Sequence, residues 1–268
     1  MESILDIKKQ VAIVAMVLGV CLSTSVAHAA DVRMVFGNTL APYAIPETSS
    51  GLEVKIIHAA LALHGHTLKP IFMPQARGQL ALRNGVVDAA ERGSPKILAE
   101  NKFYPSEMRA INYQDVAITL KKNNLVINSI NDLMGKKIVS FQGSTTYLGS
   151  AYAAAVKNNP DYTEAPFQTN QGLMLFHNRV QVVICDEIIF RYYNKNNQAG
   201  VNLTQDLVYH KILKPLITKS NNQIFASKQI RDDYDDGLKQ LKNSGQYDKI
   251  IKDFNATELG NYVLLNKP

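Results

Sequence analysis

Hydrophobic positions along this chain change period several times. "VRMVFGN" (32–38) alternates as a strand does, and "TLAPYAIPETSSG" after it is turn chemistry. From Leu52 the spacing becomes helical: Leu52, Ile56 and Ala60 share one stripe, and Val54, Ile57 and Leu61 share its neighbour. Ser50 with Glu53 three residues on has the pattern of a capping box, and Gly65 supplies a stop. "TLKPIFMP" is again extended, "QARGQLALRNG" is helical up to Gly85, and "VVDAA" is a short strand. Strand, helix, strand, helix, strand predicts a parallel sheet with crossover helices.

A second round begins at "SINDLMGKKIVSFQGSTTYLGSAYAAAVKNN". It predicts a capped turn, a strand from Lys136 to Gln142, a Gly-Ser-Thr-Thr corner, and a helix with Tyr147, Leu148 and Ala151 on one face. "LMLFHNRVQVVICDE" then repeats the helix, Asn, strand order of "ALRNGVVDAAE", so two lobes of similar build are expected. "INYQDVAITLKK" and "NNQIFASK" alternate like strands and are expected to cross between the lobes. The segment 231–254 predicts two amphipathic helices separated by Ser244-Gly245, packing back on the first lobe.

The beginning of the chain changes where this fold is expected to act. Lys8 and Lys9 precede the apolar run "VAIVAMVLGVCLSTSV" and then "AHA", the layout of a secretory signal peptide cut near Ala29. Val20 stands where a lipid-attachment signal wants a small residue before Cys21. Of two cysteines, Cys185 alone lies beyond that segment, so neither an internal disulfide nor a thiolate metal cluster is expected. The net charge of +6 comes from basic residues scattered among acids, which argues for solvated faces rather than a nucleic-acid partner. His58, His64 and His66 cluster in sequence, but "HGH" at a helix end complements the dipole and lacks ligand spacing. Cys185 in its apolar strand reads as a small buried side chain.

Five stretches in order, "GLEVKIIHAAL", "LRNGVVDA", "SINDLMGKKIVSFQGSTTYL", "NRVQVVICDE" and "LKQLKNSGQYDKIIKDF", resemble the family 3 extracellular solute-binding proteins of bacteria, receptors for polar amino-acid ABC importers. The resemblance implies an α/β, bilobed, type II periplasmic-binding-protein fold: two α/β lobes joined by a two-stranded hinge, closing on a ligand. The expected division is a signal peptide over 1–29, lobe 1 over 30–118 plus 218–268, and lobe 2 over 119–217. A monomer in the periplasm is implied, with a small-molecule ligand and an inner-membrane ABC permease or a membrane sensor as partners, and no metal or cofactor.

The same resemblance implies site residues. The Thr145 hydroxyl, with Ser144 and the local backbone of "QGSTT", would hold a ligand's α-carboxylate; the residues alone favour an ordinary N-cap. Asp186 would grip an α-ammonium, the alternative being a strand-end helix cap, while Glu187 reads as a solvated neighbour. The family's carboxylate-clamping arginine is not at its usual place, and Arg92 or Arg77 is the candidate substitute. Leu40 and Tyr43 hold the two positions of the usual aromatic wall, with Tyr43 as lid, and Gln75 stands where another ring is common. Two other readings use the same fold: a dehydratase-like periplasmic enzyme with Glu187 or Glu91 as its acid, or a sensory ligand-binding module.

Overall fold

The computed structural model describes residues 29–214 and 219–256. The expected signal peptide up to residue 28, the boundary near 217 and the end of the chain lie outside the described residues. No helix among them is long and apolar enough to cross a membrane.

In chain order the elements are β1 (Asp31–Phe36), α1 (Leu52–Ala62), β2 (Thr67–Phe72), α2 (Gln75–Arg83), β3 (Ala89–Ala90), α3 (Pro95–Leu98), β4 (Tyr104–Pro105) and β5 (Asp115–Leu120). There follow β6 (Ile138–Phe141), α4 (Ser144–Tyr147), α5 (Ser150–Val156), β7 (Tyr162–Ala165), α6 (Gln171–Phe176), β8 (Val182–Asp186), α7 (Glu187–Asn194) and β9 (Leu207–His210). The described chain closes with β10 (Ile224–Phe225), α8 (Lys228–Asn243) and α9 (Gln246–Phe254). They build two five-stranded sheets, ordered β2-β1-β3-β10-β4 and β7-β6-β8-β5-β9. In each sheet three strands run parallel and the fourth, β10 or β5, runs antiparallel to the third. The fourth strand in each is the one the chain forms just after crossing from the other lobe, so the sheets interlock through two crossings, one between β4 and β5 and one between β9 and β10.

The strand sequences follow from their place. β8 is apolar without alternation up to Asp186, and every residue of it is buried, because Val183 and Cys185 pack into one core and Val182 and Ile184 into another on the opposite face. Helix α1 sends Leu52, Ile56, Ala60 and Leu61 into the first core, where α8 lies across it. A Cβ on Gly237 of α8 would stand 2.1 Å from the Ala60 carbonyl oxygen, so glycine permits the close crossing of these helices. His64 and His66 join α1 to α8, through His64 to Asp236 at 2.9 Å and His66 to Asp233 at 2.8 Å. Those acids lie far along the chain, which is why sequence spacing did not show them.

Four local expectations are corrected. The cap of α1 is Gly51, with no side-chain cap, and Glu53 turns into the core instead of back to Ser50. The helix expected through Tyr147, Leu148 and Ala151 breaks at Gly149, whose φ of 88° needs glycine; α5 buries Tyr152 and Val156, and Ala151 is exposed. The strand expected from Lys136 to Gln142 is confined to Ile138–Phe141. The expected lobe boundary after residue 118 falls inside β5, which pairs with β8 and β9 of the second sheet, so the change of sheet precedes Asp115.

Candidate functional site

The carboxyl ends of the parallel strands from both lobes point at one cleft. Gly37, Asn38, Thr39 and Leu40 follow β1, Gln75 follows β2, and Glu91 and Arg92 follow β3. From the second lobe come Phe141 and Gln142 at the end of β6, and Ala165, Pro166 and Gln168 at and after the end of β7. Together they line a cavity between the sheets, where open α/β sheets place ligands. A second, smaller cavity continues past Arg92 to Arg109, Tyr113, Asp115 and Tyr147 on the crossing side.

The lobes touch across this cleft. Gln168 Nε2 donates to the Thr39 carbonyl at 2.9 Å, and Gln79 Nε2 to the Tyr147 hydroxyl at 3.3 Å. Cys185 is buried, and its thiol donates to Gln168 Oε1 at 3.0 Å, fixing which way that amide faces. Burial, with the charge of Asp186 beside it, holds the Cys185 thiol well above its ordinary range.

Arg92 is the centre of the site. Its guanidinium lies 4.8 Å from the ring centroids of both Tyr113 and Tyr147, one on the first crossing and one on α4 of the second lobe. Arg109, which nothing in the sequence singled out, lies over Tyr113 as well, at 5.4 Å. Three carboxylates surround the arginines. Glu53 accepts from the Tyr113 hydroxyl at 2.7 Å and Gln223 Nε2 at 2.8 Å, so α1 is tied to both crossings. Its burial, with the charge of Glu91, raises its pKa to about 7 against the pull of Tyr113, Arg109 and Arg92. Burial raises Asp115 to about 6, opposed by Arg92 and Arg109. Burial also raises Glu91, opposed by Arg92, Arg109 and the Gly37 N–H.

Asp186 is placed otherwise than its expected role requires. It is 2 % exposed and lines neither of these cavities. It caps α7, with Oδ1 taking the Ile188 and Ile189 N–H groups at 2.9 and 3.0 Å and the Tyr43 hydroxyl at 3.3 Å. Oδ2 takes the Gln114 N–H at 2.7 Å. Four internal donors therefore occupy the carboxylate. Burial and the charge of Asp115, its partner across the β5–β8 ladder, hold it near 7. Tyr43 is correspondingly a buried strut between the lobes, edge-on to Tyr113 at 4.9 Å, rather than a lid. Glu187 is buried and paired with Arg191 at 2.9 Å, not solvated.

The anion seat at Ser144 and Thr145 is also filled from within. Glu164 on β7 accepts from the Gly143 N–H at 2.7 Å, the Ser144 hydroxyl at 3.0 Å, the Thr145 N–H and hydroxyl at 3.3 and 3.2 Å, and the Tyr162 hydroxyl at 2.8 Å. Those donors hold its pKa below the ordinary value even though partial burial pushes it up. The chain's own carboxylate thus sits where the resemblance places a ligand's. Of the two candidate arginines, Arg92 lines the cleft, while Arg77 is exposed on α2 and lines none of the cavities at the cleft. Leu40 and Gln75 line the cleft.

No family model matches the chain, and no curated protein matches it. Solved structures do. An ancestral arginine-binding protein bound to arginine is 20% identical, with 83% of this chain and 97% of that one covered at a TM-score of 0.65. An arginine-, lysine-, histidine-binding protein from Geobacillus stearothermophilus is 20% identical, covering 85% and 96% at 0.62. A histidine kinase sensor domain with similarity to periplasmic binding proteins is 17% identical, covering 86% and 96% at 0.64. At these identities the likeness is one of fold: two mixed α/β lobes in the bilobed arrangement of periplasmic binding proteins.

Proposed function

We propose that this is an exported binding protein that closes its two lobes around a small polar solute and passes it to a membrane importer. The observation that supports this reading is the cleft itself. It is lined from both lobes at the strand ends by amide, carboxylate and guanidinium groups, and the contact from Gln168 to Thr39 exists only when the lobes meet. The solute is an amino acid or a related small zwitterion or anion, with Arg92 as the residue for its negative group and Gln75 and Leu40 beside it. The role is binding rather than catalysis, and the partner is an ABC permease of the inner membrane. The kinase sensor domain among the similar structures supports a second reading, in which occupancy is reported to a membrane sensor.

A thermal-shift screen of the mature protein against amino acids, polyamines and small organic acids tests the reading. A ligand that binds only the folded state raises apparent stability by RT ln(1 + [L]/Kd). A shift with a subset of small polar solutes, lost in Arg92→Ala, is expected; no shift with any of them refutes it.

A further inference from the structure

In the cleft a buried acid and a buried base stand side by side, each with one polar atom left without a hydrogen bond among the described residues, although the Gly37 N–H reaches Glu91 and Arg92 lies over two tyrosine rings. Glu91 Oε2 and Arg92 Nε are 3.8 Å apart, too far for a hydrogen bond. Neither atom has a hydrogen-bond partner among the described residues, and the two side chains are 5% and 12% exposed. A buried acceptor left without a donor is costly, more so when charged, and a fold tolerates it where a ligand supplies the missing partner. Both residues leave the end of β3 side by side, and the Glu91 N–H donates to the Val35 carbonyl at 2.9 Å, so the first sheet places their backbone.

Other acids near the lobe interface are committed elsewhere. Asp186 is saturated by four donors, and Glu164 by the Gly143–Thr145 backbone and hydroxyls. Glu53 faces Tyr113 and Gln223. Glu91 is the one acid lining the cavity between the sheets. We propose that Glu91 is the subsite for a cationic N–H group of the ligand, paired with Arg92 for an adjacent acceptor, so that the solute carries an amine or guanidinium next to its negative or carbonyl group. This rests on the solute-binding reading above and assigns the charge recognition to one lobe, with the second lobe contributing Gln168, Phe141 and the closing contacts. Arg92, Arg109 and Glu53 are the other charged groups facing Glu91.

The test uses the mature protein, with Glu91→Gln, Asp115→Asn and the parent compared by melting temperature and isothermal titration calorimetry. The probes are L-arginine, L-lysine, L-glutamine, L-glutamate and the amine-free glutarate and succinate. At least one amine-bearing probe should bind the parent, and Glu91→Gln should weaken it by about tenfold or more. Equal binding by parent and Glu91→Gln, or equal binding of glutarate and the amine-bearing probes, overturns the assignment while leaving the solute-binding reading in place. Loss in Asp115→Asn with Glu91→Gln intact moves the cation to the Arg109 side and overturns it too. Absence of binding by the parent to every probe overturns both.

Discussion

Glu53 is the buried acid whose removal gives the clearest signal. It is fully buried, and it holds the first crossing through Tyr113 and the second through Gln223. Its pKa rises from 4.5 to about 7 on folding. A raised carboxyl means that the folded state favours the protonated form, so this group's contribution is fully present below pH 4.5, declines as pH rises toward 7, and is flat above that. At about 1.4 kcal/mol per pH unit the swing is about 3 kcal/mol. Glu53→Gln has no titrating proton and lacks the swing. Its amide keeps one acceptor but faces a donor with a donor on the other side, a cost of about 1–3 kcal/mol. In urea unfolding followed by circular dichroism from pH 4.5 to 8, the variant should start less stable than the parent and gain on it by about 3 kcal/mol. Asp115 and Asp186 titrate in the same direction in both proteins and cancel to first order in the difference. A stability difference that stays constant across that range would show that the carboxyl does not change its ionisation on folding, and the reasoning would fail.

Four further outcomes follow from the geometry. Asp186→Asn should keep the Ile188 and Ile189 cap but set an NH2 against the Gln114 N–H, costing about 1–2 kcal/mol by urea unfolding; it should leave the affinity for an established ligand within about twofold. Glu164→Gln should flatten the acid limb of the stability curve: a lowered carboxyl gives stability above its unfolded pKa that is lost as pH falls through the folded one, here below 4.5, and partial exposure limits the effect to about 1 kcal/mol. Gly237→Ala should separate α1 from α8, because its Cβ meets backbone at 2.1 Å, and should lower stability by about 1–3 kcal/mol or more in the same assay. Gln168→Ala should increase the radius of gyration in small-angle scattering and speed the modification of Cys185 by a thiol reagent; an unchanged labelling rate would show that this amide does not hold the lobes.

The order of elements was legible because each depends on local periodicity. Alternation in β1 and β5, helical spacing in α1, α8 and α9, and glycine or serine at the corners are set within a few residues of each other. The break at Gly149 was not, because "GSAYAAAV" is good helix sequence on either side and only the backbone at one glycine interrupts it. The lobe boundary was misplaced for a similar reason. An alternating run such as β5 shows that it is a strand, not which of two sheets it joins, and that depends on partners about 70 and 90 residues away.

The site was legible in type and not in pairing. A strand-end acid and a Gly-Ser-Thr-Thr corner are correct signs of a carboxylate and of an anion seat; what sequence cannot say is whether the counter-charge comes from a ligand or from the chain. Here the chain supplies it in both cases: Glu164 fills the seat, twenty residues from Ser144 and on the neighbouring strand, and the backbone of α7 with Gln114 saturates Asp186. Internal pairing of this kind removes a group from recognition, since a ligand would have to displace donors already in place before gaining any contact. The same reasoning turns attention to groups left unpaired. Glu91 and Arg92 follow a two-residue strand and resemble any surface acid and base in sequence, yet both are buried in the cleft without a hydrogen bond for Oε2 or Nε. Their ion pair at 3.8 Å and the two rings about Arg92 offset part of the cost of burying both charges, and a ligand that satisfies Oε2 and Nε offsets the rest, so the proposed specificity of this cleft rests on the end of β3 and not on the residues that the resemblance would choose.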